Sequence, residues 1–128
     1  MANTKLGANA GFSGPQLGLS TIGDHCYAYS GSKDVSVEAT MLDFNTGKGY
    51  IIGRFEFNAD FATGGGANLR VQIYMNDTLI VEERDTSNAW NAGDNEFHVV
   101  IPPLTKMTVK VLGGSQDANI NFTGRVYQ

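Results

Sequence analysis

A single cysteine, Cys26, stands in a chain of 128 residues, so no disulfide can form within it. That usage fits a reducing compartment. Charged residues are scarce, at 17% against the usual ~25%. No run of Lys or Arg occurs, and the net charge is −4. A nucleic-acid backbone is therefore not an expected partner, because phosphate binders carry a basic patch. No run approaches the ~18 apolar residues of a membrane helix. The start, MANTK, lacks the apolar core of a secretory signal. A helical period is missing from every stretch of ten residues or more. The expectation is a chain made in a cytoplasm, either remaining soluble there or entering an assembly from it, with neither nucleic acid nor membrane as partner.

What is present is alternation. The stretch Tyr50 to Phe61, YIIGRFEFNADF, puts Ile51, Phe55, Phe57, Ala59 and Phe61 on one face, with Gly53 among them. Arg54, Glu56, Asn58 and Asp60 take the other, joined only by the apolar Ile52. A period of two with one apolar side predicts a half-buried strand. Each phenylalanine contributes about 1.5–3 kcal/mol if fully buried, so other strands must cover this row.

Further strands are predicted over His25–Ser30, Val35–Phe44, Leu69–Met75, Thr78–Arg84, Glu96–Ile101, Lys106–Leu112 and Ala118–Tyr127. In Val35–Phe44 the apolar face switches from Val35, Val37 and Ala39 to Leu42 and Phe44, which a β-bulge near Met41 reconciles. Asn76-Asp77 suits a tight hairpin, and Pro102-Pro103 closes the strand before it. About eight strands spaced at ~8–12 residues predict an all-β antiparallel sandwich. That number suits a jelly roll. Length bounds the chain to one domain. Residues 25–128 form the sandwich, and residues 1–24 read as an extended N-terminal arm. This lead holds five of the sixteen glycines and shows no periodicity, with Leu6, Phe12, Leu17, Leu19 and Ile22 set among small residues. It either lies on a neighbouring subunit or folds against its own domain.

Little in the sequence points to chemistry. Asp85 and Glu96 stand at positions 1 and 12 of a calcium-loop frame, but Ala89 and Trp90 occupy positions that need a ligand and a glycine. His25 and Cys26 are neighbours, so in a strand they face opposite ways and cannot act as a pair. A buried, inert thiol is the expectation. Gly64-Gly65-Gly66 precedes no helix and is not a phosphate loop. No catalytic residue, metal ligand or cofactor is assigned, and the chain is expected not to be an enzyme.

Two binding readings remain. The lead GANAGFSGPQLGLSTIGDHCYAYSG, the segment VVIPPLTKMTVKV and the end FTGRVYQ resemble phage capsid decoration (cement) proteins and small jelly-roll virion proteins. The resemblance spans the chain and implies a place on the capsid surface of a virion. It implies a homo-oligomer, with a trimer favoured, bound to the major capsid protein or another virion protein. Leu6, Phe12, Leu17, Leu19 and Ile22 would then form the arm's interface. The alternative is a carbohydrate-binding or receptor-binding module. In it Trp90, with Asn88, Asn91 and Asp94, would hold a glycan. Tyr27, Tyr29 and Tyr74 are expected to project outward beside it.

Overall fold

A computed structural model describes residues 18–59, 69–85, 96–113 and 117–128. Among these the chain forms ten strands and no helix. They are β1 (Ser20–Ile22), β2 (His25–Tyr29), β3 (Lys33–Asp34), β4 (Ala39–Asn45), β5 (Tyr50–Ala59), β6 (Leu69–Met75), β7 (Thr78–Asp85), β8 (Glu96–Ile101), β9 (Lys106–Leu112) and β10 (Asp117–Tyr127). One sheet runs β1-β2-β10-β5-β8, with β3 also paired to β10; the other runs β4-β9-β6-β7. All pairings are antiparallel.

The eight main strands nest. β6 pairs with β7, β5 with β8, β4 with β9 and β2 with β10. This is one long hairpin, folded over so that alternate pairs fall in different sheets. The β10–β5 and β9–β6 ladders join the pairs into two sheets. The architecture is a jelly-roll sandwich, as the strand count suggested. The hairpin's tip is Asn76-Asp77, with φ of 50° and 67°. Two left-handed residues make the turn whose twist matches the flanking strands.

The core lies between the sheets. Cys26, Ala28, Ile51, Phe55, Phe57, Ile120 and Phe122 enter from the first; Leu42, Phe44, Val71, Ile73, Met107, Val109 and Val111 enter from the second. Phe122 touches Phe55 at 4.7 Å within its own sheet and Phe44 at 5.2 Å across the sandwich. The β4 register shifts between Thr40 and Leu42, leaving Met41 as the extra residue of a bulge. Both Met41 and Leu42 are fully buried there, so two consecutive side chains reach the core where strict alternation allows one.

The strand predicted from Val35 starts later, at Ala39. Asp34 Oδ1 accepts a hydrogen bond from the Ser36 N–H at 2.8 Å, an Asx turn that competes with a ladder. Val35 still reaches the core, and its carbonyl accepts from Gly113 N–H at 2.7 Å. Val37 is left 75% exposed. At the opposite end, buried Thr46 ties two connections together. Its hydroxyl donates to Pro102 O and accepts from Thr105 N–H, both at 2.8 Å. This lock ties the β4–β5 connection to the β8–β9 connection at the end of the sandwich from which Tyr50 and Val100 project.

Candidate interaction face

The outer face of the β1-β2-β10-β5-β8 sheet gathers six of the ten exposed large hydrophobic side chains among the described residues: Ile22, Tyr29, Tyr50, Ile52, Val100 and Tyr127. Register places Ile22 beside His25, His25 beside Arg125, Arg125 beside Ile52, and Ile52 beside Val100. Ile22, Ile52 and Val100 are 55%, 47% and 60% exposed. One row further along, Tyr50 and Tyr127 stack with ring centroids 5.3 Å apart, and both are also exposed. Five apolar side chains thus share one end of one face.

Charge is spent locally across this end. Arg125 donates to Asp24 Oδ2 at 2.8 and 3.1 Å. The guanidinium holds the Asp24 carboxyl below the usual aspartate range. Arg54 and His98 each lie near Glu96, at 3.6 and 3.5 Å. His25 and His98 line one shallow depression of ≈ 410 Å³ with Ile52, Arg54, Thr123 and Arg125.

The other end of the face is polar. Tyr29, Asn121, Glu56 and Glu96 form one row and Asn119 and Asn58 the next. Tyr27 and Tyr29 contact each other at 5.2 Å. On the opposite sheet Tyr74 also points outward, but Lys110 Nζ covers its ring at 5.4 Å and its hydroxyl donates to Gln72 Oε1 at 2.9 Å.

The residues singled out from the sequence separate. Leu6, Phe12 and Leu17 lie outside the described residues, as do Asn88, Trp90, Asn91 and Asp94. Leu19 packs against the core, and Ile22 stands in β1, at the sheet edge beside His25. Cys26 is buried, and burial pushes its thiol up to about 11. Among the described residues no group of three or more His, Cys, Asp or Glu could hold a metal ion.

The apolar row was not assembled from the sequence, although each member left a trace there. Ile52 breaks the polar side of its strand, and Val100 completes an unalternated Val99-Val100-Ile101 run. Only the β5–β8 register puts the two side by side.

No protein-family model matches the sequence, and no curated protein matches it. Among solved structures, the infectious bursal disease virus VP2 subviral particle is similar over 83% of this chain, at 14% identity and a TM-score of 0.43. The match covers 34% of that protein's chain, so this chain spans about a third of its length.

Proposed function

We propose that this chain is a non-enzymatic structural protein of a virion. In this reading it sits on the capsid surface as a homo-oligomer, with a trimer favoured, and decorates or cements the shell through subunit contacts and its N-terminal arm. The observation that carries the reading is the exposed pair Ile52–Val100 beside the Tyr50–Tyr127 stack, with Ile22 on the same face across His25 and Arg125. Such residues scattered singly are ordinary; gathered on one sheet end they mark a surface suited to being covered. Covering each aliphatic side chain contributes about 1 kcal/mol at ~25 cal/mol per Å². Ordering and association costs offset much of this, so several copies acting together serve better than one. The low charge of the chain and the resemblance of its lead and tail segments to decoration proteins agree with that use.

Light scattering on the full chain and on a version beginning at Gly18 tests the proposal. A deletion reaching residue 24 would remove β1 from the sheet edge, so the cut belongs before it. The full chain should show a mass near three times 13.7 kDa, and the shortened one a weaker association. A monomer in both forms would contradict the proposal.

A further inference from the structure

The polar end of the same sheet face carries a second site, adjoining the apolar end at Arg54 and Thr123. We propose that the shallow groove between Tyr29 and Glu56 binds a neutral, hydroxyl-rich saccharide.

The groove has a volume of ≈ 450 Å³ and is lined by Tyr29, Ser32, Arg54, Glu56, Asn119 and Asn121, together with Gly31 and Thr123. Register sets Tyr29 opposite Asn121 and Asn121 opposite Glu56. The row spans about 10 Å, two strand spacings, which is the length of a disaccharide. Tyr29 is 50% exposed, and among the described residues Tyr27 is the one aromatic ring against it. That exposed half offers apolar aromatic surface to the C–H face of a sugar ring.

The polar groups around it are unspent. The side chains of Glu56, Asn121, Thr123 and Ser32 have no hydrogen-bond or ion-pair partner among the described residues. Asn119 uses one amide oxygen, accepting from Asn58 Nδ2 at 3.4 Å. Amides both donate and accept, and a carboxylate accepts strongly. That mixture complements vicinal hydroxyl groups, which also do both. Charge selects against an anion: Arg54 is matched by Glu96 at 3.6 Å, and Glu56 stands directly opposite Glu96. A sulfated or carboxylated ligand would meet the Glu56 carboxylate in the groove, with Glu96 on the next strand.

The site is also held in shape. Ser30, fully buried, accepts from Ile120 N–H through its hydroxyl at 2.9 Å, while its own N–H donates to Ile120 O at 3.1 Å. This pins the end of β2 to β10 and fixes Tyr29 against Asn121. Pre-set geometry lowers the ordering cost of binding.

Titration of the isotope-labelled full chain by NMR tests the proposal. The probes are lactose, maltose, cellobiose and chitobiose at millimolar concentration, with a heparin disaccharide as the anionic comparison. At least one neutral probe should shift signals of Tyr29, Glu56, Asn119 and Asn121. Tyr29→Ala and the near-isosteric Asn121→Asp should each weaken its binding by about tenfold, or 1.4 kcal/mol, while Tyr74→Ala on the other sheet leaves it unchanged. Loss of all four neutral probes, tighter binding of the heparin disaccharide, or unaltered binding in both groove variants would overturn it. Tyr29→Ala should leave the oligomer mass unchanged, so this proposal and the assembly reading can fail separately.

Discussion

At Gly53 the first sheet has no room for a side chain. Gly53 and Gly124 face each other across the β5–β10 ladder, and the Phe122 ring lies over the gap they leave. A Cβ built at Gly53 would sit 2.6 Å from Thr123 O and 2.7 Å from Phe122 Cζ. The backbone oxygen cannot move without breaking the ladder, and the ring is packed against Phe55 and Phe44. Gly53→Ala is expected to lower stability by about 1–3 kcal/mol, the usual cost of overpacking. The readout is the urea midpoint; a midpoint equal to that of the parent would show that the ring has room to retreat. The sequence placed Gly53 on the inward face, but the ring that excludes a methyl group arrives from a strand about seventy residues away. Pairing at that distance is not written in local alternation.

Among the elements, the β6–β7 hairpin is the most locally determined. Asn76 and Asp77 are both left-handed, a conformation that strains a non-glycine residue by about 1–2 kcal/mol. Asn76 has compensation, because its Oδ1 accepts from Lys106 N–H at 2.9 Å. Asp77 has, among the described residues, an exposed ion pair with Lys106 at 3.7 Å and no other side-chain partner, and such pairs contribute little. Asp77→Gly is expected to raise stability by about 0.5–1 kcal/mol, the relieved strain being partly offset by the entropy of the freer unfolded chain. A thermal or urea unfolding curve checks this, and a lower midpoint would refute it. This turn and the Met41 bulge were both legible in the sequence, since each follows from a few adjacent residues. The interruption at Val35–Glu38 was not. There the alternation of Val35, Val37 and Ala39 suggested a strand, and the Asp34–Ser36 hydrogen bond overrode it.

For the whole molecule, alternation and strand spacing sufficed for a jelly-roll sandwich, because half-buried strands of this number must close on one another. Which strand neighbours which was beyond them. The nested order emerges from pairings as distant as β2 with β10, and the interaction face depends on that order. Ile22, Ile52 and Val100 belong to three strands that become one surface only once β10 lies between β2 and β5. The arm residues Leu6, Phe12 and Leu17 and the loop residues around Trp90 lie outside the described residues, so the assembly account stands on the sheet face.

That account is tested most directly by sedimentation equilibrium of the full chain against the double variant Ile52→Glu, Val100→Glu. Both side chains are exposed and clear of the core, so the variant should fold, with circular dichroism as the check. The account predicts an oligomer for the parent, near three times 13.7 kDa. It predicts a mass of one chain for the variant, because two carboxylates on each copy would have to be buried unpaired. A parent that sediments as a monomer, or a variant that assembles as tightly as the parent, would contradict it.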